Sequence, residues 1–243
     1  MTYRENGKID KAIELSEHVV RIRERKLAED HPDRLASQHE LAVTYRANGQ
    51  IDKAIELSEH VVKIKTGKLA EDHSSRLVSQ YELATTYRAN GQIDKAIKLL
   101  KHVVEIKKKL TEDHPDRLAS QHELAMTYRE NGQIEETIKL LEHVVKIEKR
   151  KLAEDHPDRL VSQYELALTF RANGQIKEAI KLLEHVVKIE KKNLAEDHPY
   201  RIVSEKALAL MYRENGQFDN AVEVETGLIS ETDSEWSTTD GDD

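Results

Sequence analysis

Histidine is a residue type that could bind a metal ion, and most of its twelve copies in this chain follow a regular pattern. Five precede a Val-Val pair and five follow a Glu-Asp pair: His18, His60, His102, His143 and His185 in the first set, His31, His73, His114, His156 and His198 in the second. A zinc site needs three or four ligands that converge on one point, but like positions here are spaced along the chain. We therefore predict no metal site and interpret Asp-His-Pro as a helix-start signal.

Other side chains that could do chemistry lack the surroundings that catalysis requires. Ser37 and Ser79 recur in a predicted helix, without a strained turn or a neighbouring base. The sequence has no glycine-rich phosphate loop, and we expect none of its many carboxylates to lie in an apolar setting that would raise its pKa. The sequence therefore favours a protein that is not an enzyme and that uses no cofactor.

The distribution of charge argues against nucleic acid or a membrane surface as a partner. The net charge is −8, and six acidic residues in the last thirteen positions, 231–243, supply most of it. The rest of the chain mixes both signs closely, whereas a nucleic-acid or anionic-membrane binder would show a basic face. Cysteine is absent, no apolar run approaches the ~20 residues that cross a bilayer, and residues 1–10 lack an apolar signal core. We expect a reducing, cytoplasmic location.

An internal repeat decides the fold class. The glycine of an Asn-Gly pair recurs at intervals of 42, 42, 41, 42 and 42 residues: Gly7, Gly49, Gly91, Gly132, Gly174 and Gly216. The short interval has a visible cause, because Ile64 and Leu69 are five positions apart whereas Ile106 and Leu110 are four apart. The modest hydrophobic content of 38% suits an elongated array in which every residue lies near a surface.

Each repeat is predicted to be a pair of helices. The first opens at Pro32, where a missing N–H costs nothing, and closes at Asn48-Gly49, because glycine tolerates a left-handed helix end. Both halves carry an apolar stripe at helical spacing: Leu35, Leu41, Ala42 and Tyr45 in the first, and Ile51, Ala54, Ile55, Ser58, Val61, Val62 and Leu69 in the second. Neither helix could bury its stripe alone, so neighbouring helices must stack.

The repeat resembles the tetratricopeptide family. The spacing of Leu41-Ala42, Tyr45, Gly49 and Ala54 matches its signature, and the 42-residue period with the pattern HPD…LA…Y…NGQ…A resembles the kinesin-light-chain subtype. The resemblance implies an all-α, right-handed solenoid of eleven helices over residues 1–230, acting as a protein-binding scaffold. The predicted boundaries are a leading half repeat at 1–31, helix pairs at 32–72, 73–113, 114–155, 156–197 and 198–230, and a disordered tail at 231–243.

Two departures from kinesin light chains restrict what the resemblance implies about function. The paired asparagines that help that family to hold cargo peptides are replaced by His39-Glu40, Tyr81-Glu82, His122-Glu123, Tyr164-Glu165 and Lys206-Ala207. The heptad coiled coil that recruits the motor is absent, so a motor role does not carry over. The repeats also resemble the sensor arrays of fungal and bacterial P-loop signalling ATPases, although this chain contains no phosphate-binding loop motif.

The register of the signature places one arginine per repeat on the concave groove that the first helices line. These arginines are Arg46, Arg88, Arg129, Arg171 and Arg213, with Arg4 continuing the row, and beside them run His39, Tyr81, His122, Tyr164 and Lys206. Guanidinium groups pair carboxylates bidentately and stack on planar groups. We therefore predict a groove that binds an extended, acidic peptide segment.

Several alternatives stay open at the level of the sequence. Each arginine could instead pair with a glutamate of its own or the next repeat, such as Glu40 or Glu82. The chain could be a ligand-sensing segment of a larger P-loop signalling ATPase, a self-assembling array, or a fragment, because residues 1–7 repeat word for word at 126–132. The acidic tail could fold back onto the groove through Trp236 or act only as a solubilising segment.

Overall fold

The computed structural model describes the backbone of residues 9–229 and the side chains of residues 9–226. Over this range the chain forms eleven α-helices and no β-strand: α1 Ile9–Lys26, α2 Pro32–Ala47, α3 Ile51–Lys68, α4 Ser74–Ala89, α5 Ile93–Lys107, α6 Pro115–Glu130, α7 Ile134–Lys151, α8 Pro157–Ala172, α9 Ile176–Asn193, α10 Pro199–Glu214 and α11 Phe218–Ile229. Arg4, the tail at 231–243 and its Trp236 lie outside the described residues, so the expectations for them stay predictions.

The helices belong to two compact units, Met1–Asn131 with α1 to α6 and Gly132–Asp243 with α7 to α11. Within each unit every helix packs against the next one in the chain. We call α2, α4, α6, α8 and α10 the A helices, and the others the B helices. In the first unit α2 also contacts α4, and α4 contacts α6. The pairing of helices predicted from the apolar spacing is confirmed.

A histidine caps the start of each A helix. Nδ1 of His31 accepts a hydrogen bond from the backbone N–H of Asp33 at 3.1 Å, and the same contact recurs two residues beyond each equivalent histidine: His73, His114, His156 and His198. An acceptor at this position satisfies one of the unpaired N–H groups of the first turn. The start signal was predicted, whereas the role of the imidazole as the cap was not.

The arginine that follows the cap closes the turn between a B helix and the next A helix. Nη1 of Arg76 donates to the carbonyl oxygen of Leu69 at 3.1 Å, and Nη1 of Arg117 donates to that of Leu110 at 2.9 Å. The same bond is made by Arg34, Arg159 and Arg201. This arginine therefore satisfies a carbonyl at the turn, and it is distinct from the arginine predicted for the groove.

Each A helix ends at the predicted Asn-Gly pair. The glycines there have φ between 71° and 77°: Gly49, Gly91, Gly132, Gly174 and Gly216. This left-handed region costs a residue with a Cβ atom far more than it costs glycine. The turn that follows is short, because Gln50 donates its N–H back to the carbonyl oxygen of Tyr45 at 2.9 Å. The next helix then begins at once.

The missing residue of the short repeat shortens one B helix. Helix α3 runs to Lys68, immediately before Leu69, whereas α5 ends at Lys107, three residues before Leu110. The deletion is therefore absorbed in the last turn of α5. The apolar stripe of α5 keeps its burial, since Leu100 and Val103 are fully buried.

The junction between α3 and α4 is expected to open more readily than the equivalent junction between α7 and α8. Gly67 lies in the last turn of α3, where glycine costs about 1 kcal/mol relative to alanine, and Ser74 stands where the other A helices begin with proline. Hydrogen exchange measured by mass spectrometry should be faster for residues 66–75 than for residues 150–157. Slower exchange at 66–75 would contradict this expectation.

Candidate functional site

The predicted arginine row lies on the A helices, and in the first unit Arg46 and Arg88 hold carboxylates of the next A helix. The Arg46 guanidinium pairs with the Glu82 carboxylate at 2.9 Å and also donates to the Thr85 hydroxyl. Arg88 pairs with Glu123 at 3.0 Å and with Glu130 at 3.1 Å. We call this surface, on which the side chains of successive A helices meet, the A-helix face.

The same pairing continues in the second unit. Nε of Arg171 donates to the Glu214 carboxylate at 2.8 Å, and the guanidinium holds the pKa of Glu214 below its ordinary value. Nε of Arg213 donates to Glu225 on α11 at 3.0 Å. Arg129 occupies the corresponding position near the end of α6. Internal pairing with glutamate, one of the two alternatives that the sequence left open, is therefore present at four positions of the row.

The residues predicted beside the arginines are mostly half-buried. Burial lowers the pKa of His39 and raises the pKa of Tyr81 to about 12. Tyr164 is also half-buried, whereas Lys206 is exposed. The row of His39, Tyr81, His122, Tyr164 and Lys206 therefore has an aromatic, partly apolar character in four of its five positions.

A buried charged residue stands near the end of each B helix from α3 to α9, and its sign changes between the units. It is lysine at positions 65 and 107 and glutamate at positions 148 and 190, and all four are at most 8% exposed. Lys65 donates to Ser79 Oγ at 2.7 Å, and Lys107 donates to Ser120 Oγ at 2.9 Å. Burial lowers the pKa of both lysines.

The two buried glutamates contradict the expectation that no carboxylate lies in an apolar setting. Glu148 accepts a hydrogen bond from Ser162 Oγ at 3.2 Å, its other oxygen has no partner, and burial raises its pKa to about 7. Burial also raises the pKa of Glu190. The missed signal was positional, because Glu148 stands seven residues after Leu141 and four after Val144, on the apolar stripe of α7.

An apolar cavity of about 550 Å³ lies in the second unit, between the first halves of α8 and α10 and over the end of α9. Apolar and aromatic side chains form most of its wall: Leu160, Val161, Tyr164, Ile189, Leu194, Tyr200 and Val203. Glu190, which is 5% exposed, lines it, while Glu165 and Asp155 also border it. Of the predicted groove residues, Tyr164 contributes to this cavity.

The histidines serve local contacts. Besides the five caps, His60 lies 3.8 Å from Glu29, His102 lies 3.8 Å from Glu71, and His185 lies 3.6 Å from Glu154. Among the described residues no group of three or more His, Asp or Glu side chains could hold a metal ion. None of the described helices is both long and apolar enough to span a membrane.

Repeats of 41 or 42 residues, each a pair of helices joined by Asn-Gly and packed through alanine and leucine stripes, define a tetratricopeptide array. The chain belongs to the tetratricopeptide repeat family, whose model matches residues 1–67, 37–109, 75–149, 116–192 and 163–226. The resemblance inferred from the sequence is confirmed. This fold is a scaffold suited to protein–protein interaction, and its members are typically not catalytic.

The similar solved structures include kinesin-light-chain-like repeats. A Podosopora anserina protein, described as a kinesin light chain with nearly identical TPR-like repeats, is 49% identical over 86% of this chain and 99% of its own, with a TM-score of 0.77. BtubC (BKLC) of P. vanneervenii is 17% identical over 97% of this chain and 95% of its own, with a TM-score of 0.77, and shows the fold alone. No curated protein matches the chain.

Proposed function

We propose that the A-helix face binds an extended, acidic peptide segment of a protein partner. The observation that carries the proposal is that guanidinium groups on this face already hold carboxylates. Arg46, Arg88, Arg171 and Arg213 each have a glutamate of a neighbouring helix within 3.1 Å. A carboxylate of a bound peptide requires the same donors in the same geometry.

Exchanging one carboxylate for another at this surface requires little free energy. The Arg46 and Glu82 side chains are 27% and 26% exposed, and ion pairs open to water contribute about 0–1 kcal/mol each. A peptide carboxylate can therefore displace Glu82, whose own side chain returns to water. A peptide with several acidic residues would make several such exchanges along the row.

The aromatic residues of the face supply contacts that depend less on charge. Tyr81 and Tyr164 are half-buried, so part of each side chain stays accessible to a ligand. A peptide that alternates acidic and apolar residues would place carboxylates at the arginines and apolar side chains against these rings. The electrostatic contacts at the arginines favour specificity and fast association more than affinity.

Opposite substitutions in one ion pair test this proposal. Acidic nonapeptides, with their Asn/Gln counterparts as neutral controls, are titrated against the full chain by fluorescence anisotropy at two salt concentrations. Replacing Arg46 with alanine should weaken acidic binding about threefold, and Glu82→Gln should strengthen it by a similar factor, since an exposed pair is worth up to about 1 kcal/mol. Affinity should also fall as salt rises.

One result would contradict the proposal. If both variants bind acidic peptides as the unmodified chain does, with unchanged salt dependence, the row is an internal ion-pair ladder. Lys63→Ala is the control, because Lys63 is an exposed cation on the B helix α3. It removes one positive charge without touching the A-helix face.

The two other functions that the sequence leaves open make different predictions. A self-assembling array would show light scattering that grows with protein concentration, whereas a scaffold for a peptide would not. A sensor segment of a P-loop signalling ATPase would be preceded in its gene by a phosphate-binding domain. Sequencing the transcript upstream of the codon for Met1 checks the latter.

A further inference from the structure

The cavity between α8 and α10 has one polar group that its neighbours leave incompletely bonded. Glu190 is 5% exposed, and its carboxyl group is bonded to Ser204. Its second oxygen, Oε2, has no hydrogen-bond partner. A buried acceptor without a partner is unfavourable, so a donor placed there would gain both the bond and relief from this penalty.

The surroundings of Glu190 are apolar and negatively charged. Val161, Tyr164 and Val203 line the cavity, and Val161 and Val203 are 42% and 50% exposed. Two further carboxylates, Asp155 and Glu165, border the cavity, and no lysine or arginine lines it. Such a wall fits a group with an apolar stem and a cationic end.

Two other polar groups near the cavity, Glu205 and His198, already have partners within the protein. Glu205 is paired with Lys191 at 3.3 Å and with Arg201 at 3.2 Å. Nδ1 of His198 accepts the backbone N–H of Tyr200. Among the lining residues, Glu190 combines burial with a carboxylate oxygen, Oε2, that has no hydrogen-bond partner.

The first unit provides a contrast at the same register. Lys107 stands where α9 has Glu190, and its ammonium donates both to Ser120 Oγ at 2.9 Å and to the Asp116 carbonyl oxygen at 3.0 Å. It also lies 5.8 Å from the centre of the Tyr81 ring. In the first unit the protein itself thus supplies the ammonium at this place, beside a tyrosine equivalent to Tyr164.

We propose that the cavity between α8 and α10 binds a lysine side chain of the protein partner. The methylene stem lies against Val161, Tyr164 and Val203, and the ammonium donates to Oε2 of Glu190. This inference shares with the proposed function only the premise that a partner segment lies on the A-helix face. It requires no contact with the arginine row.

The test compares lysine with an uncharged residue of similar shape. A nonapeptide library with lysine at its centre, and the same library with norleucine there, are screened against the full chain, and the Kd of the best lysine peptide and of its norleucine counterpart is measured by calorimetry. Lysine should bind at least about tenfold more tightly, the scale of a hydrogen bond to a charged group. Acetylation of the lysine should remove the advantage.

Three variants assign the effect to the cavity. Glu190→Gln should abolish the preference for lysine, and Glu148→Gln, at the equivalent position of α7 but outside the cavity, should keep it. Val203→Lys adds an ammonium at a half-exposed wall position, so it should weaken lysine peptides while leaving the fold intact by circular dichroism. Equal binding of lysine and norleucine peptides, or an unchanged preference in Glu190→Gln, would overturn the proposal.

The test can contradict the lysine site without contradicting the acidic-peptide site, and the reverse. Glu190→Gln should leave the affinity for acidic peptides unchanged, and Arg46→Ala should leave the preference for lysine over norleucine unchanged. An arginine peptide that binds more tightly than the lysine peptide would contradict the choice of lysine. Binding of n-butylamine alone with the affinity of the peptide would contradict a protein partner as the source of the ammonium.

Discussion

Glu148→Gln is expected to raise the free energy of unfolding at pH 8 by about 2–3 kcal/mol. Burial raises the pKa of Glu148 from 4.5 to about 7, and a shift of this size corresponds to roughly 3 kcal/mol of preference for the protonated form. Above pH 7 the folded protein must either ionise this carboxyl group in its apolar site or hold a proton that water would remove. Glutamine is neutral at every pH, so it avoids this cost.

The difference in the free energy of unfolding between Glu148→Gln and the unmodified chain should depend on pH. A carboxyl group whose pKa is raised by folding stabilises the fold fully below its unfolded pKa, and this contribution is lost as pH rises through the folded pKa. The difference between variant and unmodified chain should therefore be near zero at pH 4, grow between pH 4.5 and 7, and level off above. Urea unfolding followed by circular dichroism at several pH values measures it.

Glu142→Gln is the matched control, because Glu142 lies on the same helix, α7, but is exposed. It should change the free energy of unfolding by less than about 0.5 kcal/mol, as surface substitutions usually do. If Glu148→Gln were destabilising at pH 8 and at pH 4 alike, the carboxylate would be engaged in contacts that glutamine cannot replace. The apolar setting inferred for Glu148 would then be wrong.

Leu183→Ala should destabilise the second unit by about 3–4 kcal/mol, within the range that large-to-small core substitutions show. Leu183 is fully buried in α9 and belongs to a cluster that includes Val186, Leu208 and Met211. The shortened side chain loses its transfer free energy and leaves a cavity that neighbouring helices can close only in part. Urea denaturation, read as a lower midpoint with an unchanged slope, measures the loss.

The neighbouring leucine provides the control for this substitution. Leu182 is only partly buried and packs against the edge of the same cluster, so Leu182→Ala should cost clearly less than Leu183→Ala. Equal losses of unfolding free energy in the two variants would mean that α9 does not pack through the apolar face that contains Leu183. Because repeat arrays gain stability from contacts between neighbours, the effect should be largest in probes of α8 to α10.

Much of the fold was predictable because the same helix-end residues and apolar stripes recur in every repeat. Asn48-Gly49 and its equivalents required a left-handed glycine at the end of each A helix, and φ values of 71° to 77° are observed there. The apolar stripe predicted the buried positions Leu41, Ala42 and Ala54. The residue missing before Leu110 is accounted for by the early end of α5.

The predictions for the site were less complete. The arginine row was placed on the A helices from the register alone, but the partners of Arg88 could not be read from the chain. Glu123 and Glu130 reach it from α6, a separate helix. The binding role of the row stays a prediction, since an ion pair between helices is compatible with both a ligand site and an internal ladder.

The sequence by itself determined the class of protein. A 42-residue period, two apolar stripes at helical spacing and an Asn-Gly pair at the end of each A helix together require stacked helix pairs, because neither helix can bury its apolar face alone. Tertiary structure alone decided which charges are buried and what they meet. Glu148 and Glu190 stand on the apolar stripes of α7 and α9, but they become buried only when α8 and α10 pack over them, because solvation depends on every neighbour in space. For the same reason, the cavity beside Glu190 exists only once three helices are assembled.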